Sequence, residues 1–206
     1  MHLLVLLALA QAGAPLWEAK APSEYTDEEL LSLLRSSPWA QTHHIPMHGG
    51  RGLPRGGLAN PGARVYLASA EPLREAEREL RRRQLAAAAD PEFAADSEYE
   101  EFLDANPGRY IVLAVQVLRP ELLDKETSVR KMEQDSRLKI GGRKYEIVGH
   151  FPPTRTDPYL RLIFPRDIRD GDKEISFELY LPGVPLPFRN IKFVLENLSY
   201  RGRLEL

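Results

Sequence analysis

At 206 residues and 43% hydrophobic content, the chain is long enough to bury one real core and too apolar to be a disordered polymer. Its 28 Lys and Arg against 30 Asp and Glu give a net charge of -2, which excludes a general nucleic-acid or anionic-membrane binder, because counterion release needs a basic excess. The absence of cysteine excludes a disulfide framework, a cysteine nucleophile and a lipid-bearing cysteine within this sequence.

The apolar run Leu3 to Ala10 is shorter than the roughly 20 residues of a membrane-spanning helix. Ala10-Gln11-Ala12 follows with the small-x-small pattern of a signal-peptidase site, so residues 1–12 are expected to be a signal peptide cleaved before Gly13. No Lys or Arg precedes the run, so either the α-amino group and His2 supply the positive end or the true start lies upstream of Met1. The expected destination is the periplasm or the extracellular space, and no transmembrane segment is expected in the mature chain.

Thr26 and Glu29 form a capping box that opens a helix, Tyr25 and Leu30 are placed to staple it, and Ser36-Ser37-Pro38 stops it. Trp39 follows at once, the position of an aromatic anchor that pins a short amphipathic helix to its domain. Residues Thr42 to Gly62 read as a glycine- and proline-rich loop. Residues 13–62 are therefore expected to be an N-terminal helix and a flexible Gly/Pro/His loop, with an α+β domain over 63–206.

Within that domain Arg64 to Ala68 reads as a strand and Ser69 to about Ala89 as a helix whose Glu77/Arg81 and Glu79/Arg83 pairs suggest a solvated face. The acidic stretch Asp90 to Asp104 should pack against the basic end of that helix at Arg81-Arg82-Arg83. From Tyr110 the period turns to two. Tyr110 to Leu118 is near-continuously apolar, as in a central strand, and Lys125 to Gln134 forms a short helix. Gly141-Gly142 marks a hairpin, Tyr159 to Phe164 is a strand, and Ile175, Phe177, Leu179 and Leu181 alternate cleanly with polar neighbours. The last strand carries Ile191, Phe193 and Leu195 on one face. Roughly five or six strands give the expected class: α+β, N-terminal helical segments packed on a C-terminal antiparallel, sandwich-like or strongly bent sheet.

Candidate chemistry is sparse. His43, His44, Met47 and His48 combine imidazole and thioether, a donor set that suits copper or another transition metal better than calcium or magnesium. Gly49 to Gly57 has the glycines of a phosphate loop without the strand before it or the helix after it. Asp167, Asp170, Asp172 and Glu174 surround Gly171 without the spacing of a calcium loop, and His150 with Asp157 is a weak acid-base pair.

Tyr25 to Leu34 running into Ser37-Pro38-Trp39-Ala40, together with Ala63 to Ala76, resembles a group of uncharacterised exported bacterial proteins. Those proteins carry a signal peptide, a Ser-Pro-Trp-Ala motif and a strand-to-helix segment W-x-S-A-x-P-x-R-E-A, where Tyr66 or Leu67 stands here at the aromatic position. The resemblance implies export and a shared fold and carries no activity. The expected function is thus a non-enzymatic interaction or accessory β domain of the cell envelope, its partner a protein or envelope component and not a nucleic acid. The alternative is periplasmic copper binding through His43, His44, Met47 and His48, and the third reading is an enzyme of unrecognised type.

Overall fold

The computed structural model describes residues 15–44, 62–87, 97–117, 120–154, 157–184 and 187–206. The expected signal peptide, Met47, His48 and the Gly49 to Gly57 stretch lie outside those residues. Five α-helices are described: α1 (Leu16–Ala19), α2 (Asp27–Leu33), α3 (Glu71–Ala87), α4 (Ser97–Ala105) and α5 (Glu126–Asp135). The strands before residue 150 begin are β1 (Ala40–His44), β2 (Gly62–Leu67), β3 (Tyr110–Gln116), β4 (Arg137–Ile140), β5 (Arg143–Glu146) and β6 (Gly149–Phe151). After them come β7 (Tyr159–Pro165), β8 (Glu174–Leu179), β9 (Phe188–Val194), β10 (Ser199–Tyr200) and β11 (Arg203–Leu204).

Helix α2 begins where the sequence places it. The Thr26 hydroxyl accepts the Glu29 N–H at 3.2 Å and the Glu29 carboxylate accepts the Thr26 N–H at 2.7 Å, so two amides that the helix cannot satisfy are paired reciprocally. Leu30, Leu33 and Leu34 are buried beneath it.

The strands form an antiparallel sheet in the order β1-β2-β3-β7-β6, a second in the order β5-β4-β8-β9, and the small β10-β11 hairpin. Neither large sheet closes on itself, and the α+β class expected from the sequence holds. Strand β3 is the centre of the first sheet, with Ile111 to Val115 buried on both faces. On one face Ile111, Leu113 and Val115 stand opposite Phe164, Leu162 and Leu160 of β7. Phe164 reaches the second sheet there, its ring centroid 5.4 Å from that of Phe177, which meets Phe193 at 6.2 Å. The other face carries Ala114 and Val112 opposite Arg161 and Ile163 and is covered by helices: Tyr99 of α4 donates its hydroxyl to the Ala68 carbonyl at 3.0 Å. In β8 the expected alternation holds, Ile175, Phe177 and Leu179 buried between half-exposed Ser176 and Glu178.

Three expectations need correction. The loop read over Thr42 to Gly62 is strand at both ends, because Thr42 pairs with Arg64 and His44 with Gly62 across the β1-β2 ladder. Backbone pairing with a strand beyond the glycine-rich stretch outweighs the weak local propensity of Thr-His-His. The roughly five or six strands become eleven among the described residues, since strands of two to four residues such as β6, β10 and β11 are too short to display a period. Finally, Glu100 and Asp104 of α4 pair with Arg78 at 3.0 Å and Arg74 at 2.6 Å, in the first half of α3. Arg82 and Arg83 instead find Glu79 on their own helix at 2.7 Å each, the nearer carboxylate at three- and four-residue spacing, and Arg83 reaches Asp27 at 2.6 Å.

Trp39 is fully buried. Its indole N–H donates to the Glu205 carbonyl at 2.9 Å, Trp17 meets its ring edge-on at 5.4 Å, and its own carbonyl accepts the Leu67 N–H at 2.9 Å. One residue thus ties the N-terminal segments to β2, through its backbone, and to the end of the chain, through its indole. Trp39→Ala should cost roughly 3–5 kcal/mol. In hydrogen exchange the amides of Leu30, Leu33 and Leu34 should lose protection before those of β3; a helix that stays fully protected would contradict the anchor.

Candidate functional site

Of the four metal nominees, His43 and the backbone of His44 lie among the described residues. His43, near the end of β1, places Nε2 2.8 Å from Gln41 Oε1 and meets Phe188 of β9 edge-on at 5.0 Å. Burial lowers its pKa and holds the ring neutral. His44 is the last residue of β1, whereas Met47 and His48 fall outside the described residues. No group of three His, Cys, Asp or Glu able to hold a metal occurs among the residues described.

The acidic loop after β7 is occupied by arginine. Arg143 Nη2 lies 2.7 Å from Asp172 Oδ2, Arg169 meets Asp167 at 2.7 Å, and the Tyr145 hydroxyl donates to Asp167. The Arg169 hydrogen bond, then that from Tyr145, brings the Asp167 carboxyl down to about 2. Guanidinium charge therefore stands where calcium would have to. Asp172 also covers the β4-β5 turn: a Cβ on Gly141 would come within 2.1 Å of its Oδ1, and φ of +51° and +83° at Gly141 and Gly142 fits the two-residue hairpin. His150 turns its Nδ1 to Glu133 at 3.0 Å, while Asp157 faces Arg161, so the expected His150-Asp157 pair is not formed.

A different cluster lies under α3. The ladder sets Tyr66, Ala114 and Arg161 side by side on β2, β3 and β7, on the helix-covered face. The small side chain of Ala114 leaves room between its larger neighbours, and Glu77 enters from α3. Its carboxylate accepts the Tyr66 hydroxyl and lies 3.0 Å from Arg161 Nη2. Asp157 completes the pairing of Arg161 at 2.5 Å, and the Tyr99 ring lies 4.2 Å below the guanidinium carbon. Arg161 is 4% and Glu77 8% exposed, so this is a buried ion pair, stable only because each charge has a partner. Burial disfavours the Arg161 charge, but Glu77, the two tyrosines and Asp157 more than restore it and keep the group protonated. Burial pushes up the Tyr66 hydroxyl, with the Glu77 charge adding to it, and burial pushes up Tyr99 as well.

Two members of the cluster leave a mark in the sequence. Arg161 interrupts the apolar run of β7, and a charge at such a position requires a buried partner. Glu77 falls in the stripe Leu73, Ala76, Leu80, so its four-residue spacing to Arg81 conceals its inward position.

Beside the network a cleft of about 210 Å³ opens between α2, α3 and the strands. Leu31, Leu34 and Leu80 give it an apolar wall; Arg64, Gln84 and Tyr159 give it a polar one. Arg64 is half-buried, and the one hydrogen bond of its side chain among the described residues is a long 3.5 Å contact to the Tyr159 hydroxyl.

No protein-family model matches the chain, and no curated protein or solved structure is similar to it.

The buried pair predicts a contrast in stability. Glu77→Ala should cost about 3–5 kcal/mol in urea unfolding, because it strands a buried guanidinium. Glu126→Ala, which breaks an exposed pair with Arg130, should cost under about 1 kcal/mol. Equal costs would contradict the assignment.

Proposed function

We propose that the chain is an exported, non-catalytic interaction domain of the cell envelope, binding through the cleft between α2 and α3. The observation that carries this reading is the saturation of both carboxylates at the cleft. Glu77 is taken by Tyr66 and Arg161, and Asp157 by Arg161 and by the Tyr159 N–H at 3.0 Å. Such a network stiffens a wall and leaves no carboxylate free to act as a general base, whose atoms would have to be within reach of a substrate proton. Support for export comes from the apolar run Leu3 to Ala10 and the small residues Ala10 and Ala12. Among the described residues no helix is long and apolar enough to cross a membrane.

The layering of the two sheets through Phe164 and Phe177 supports a sandwich-like β core for the domain. Copper binding through His43, His44, Met47 and His48 is the second reading, supported by the imidazole and thioether donors that the sequence places within six residues.

Export is tested by expressing the full sequence in a bacterial host, fractionating the cells and sequencing the N-terminus of the recovered protein. The reading predicts a mature chain beginning at Gly13 in the envelope or the medium. Intact Met1 in the cytosol would overturn it.

A further inference from the structure

We infer that the cleft between α2 and α3 takes a small amphipathic organic anion, a carboxylate on an apolar body, with Arg64 as its counter-ion. This rests on the reading of that cleft as a binding surface and adds the chemistry of what binds.

The charge count at the cleft is the first ground. Glu77 and Asp157 are the carboxylates that line it, and both are already paired with Arg161; of the two arginines that line it, Arg81 is itself engaged, which leaves Arg64. Arg64 stands on the same face of β2 as Tyr66, two residues away, yet it joins no ion pair among the described residues. A half-buried guanidinium with only a long contact to a phenol retains most of its donor capacity. Its planar fork matches a carboxylate in two parallel hydrogen bonds, and the Tyr159 hydroxyl beside it can donate a third.

The second ground is shape. Leu31 and Leu34 at the end of α2 and Leu80 on α3 line the cleft together with that charge, so a ligand that satisfies it has an apolar body and an anionic end. The volume of about 210 Å³ falls below the ~300–1,000 Å³ of drug-sized pockets, which limits the ligand to the size of a medium-chain or aryl-alkyl acid. The third ground is rigidity. Tyr159 meets Tyr66 edge-on at 5.0 Å, and Tyr66 is fixed by Glu77, so the polar end of the cleft is built on the buried network and is ordered before a ligand arrives.

The test uses the ¹⁵N-labelled chain as recovered from the exporting host, titrated with octanoate, octan-1-ol and octylamine and followed by ¹H–¹⁵N spectra. Octanoate should shift the amides of Leu31, Leu34, Arg64 and Tyr159 saturably and bind at least about tenfold more tightly than octanol, the ratio expected for one charge-assisted pair. Arg64→Gln should remove that preference, Arg64→Lys, which keeps the charge but not the planar fork, should keep only part of it, and Tyr159→Phe should weaken octanoate by a smaller factor. Urea midpoints near that of the parent identify the variants that fold. If octanol binds as well as octanoate and Arg64→Gln changes nothing, or if octylamine binds best, the cleft is a binding surface and the anion inference fails. If none of the three probes shifts these amides, the binding reading of the cleft fails with it.

Discussion

A guanidinium in the middle of a buried strand has to be neutralised, and the arrangement of this protein follows from that requirement. Arg161 stands on β7 in the helix-covered face of the larger sheet, where an unpaired charge would cost several kcal/mol. Glu77 supplies the counter-charge from α3 and Tyr99 of α4 closes the cation from below, so a single side chain registers two helices on the sheet. Tyr66 and Asp157 take the remaining hydrogen-bonding capacity. The pair is less a source of net stability than a specification of which face of α3 lies down, because a helix rotated by one position would strand both charges.

The periphery is closed by weaker contacts that depend on this frame. Trp39 joins β2, α1 and the end of the chain, and the Gln41 amide reaches the Lys192 carbonyl at 2.5 Å, linking the outer strand of one sheet to the outer strand of the other. His43 belongs to the same seam through its edge contact with Phe188. Its position is explained by packing between sheets, whatever else the neighbouring histidines do. Arg143 and Asp172 hold the β4-β5 hairpin to the acidic loop. Ion pairing, rather than metal coordination, accounts for the carboxylates there.

Local signals in the sequence carried over well because they depend on neighbours in the chain. The Thr26/Glu29 box, the Gly141-Gly142 turn and the alternation from Ile175 to Leu179 are each complete within a few residues. Strand β1 was hidden because its partner lies on the far side of a glycine-rich stretch, so nothing in Thr42-His43-His44 announces pairing. Glu77 was hidden for the opposite reason: a local signal, the spacing to Arg81, offered a satisfactory surface explanation for a residue whose real partners are 11 and 84 positions away. Arg64 shares its strand face with Tyr66 in any period-two reading, but only the folded chain shows that no carboxylate among the described residues comes to meet it.

The central claim, that Glu77 and Arg161 act as one unit on which α3 and the cleft depend, is tested most directly by a double-mutant cycle in urea. Glu77→Ala, Arg161→Ala and the double variant should be strongly non-additive, with a coupling energy of about 1.5–3 kcal/mol and a double variant no less stable than the worse single one. Additivity within about 0.5 kcal/mol would mean that the two groups are energetically independent and would contradict the account.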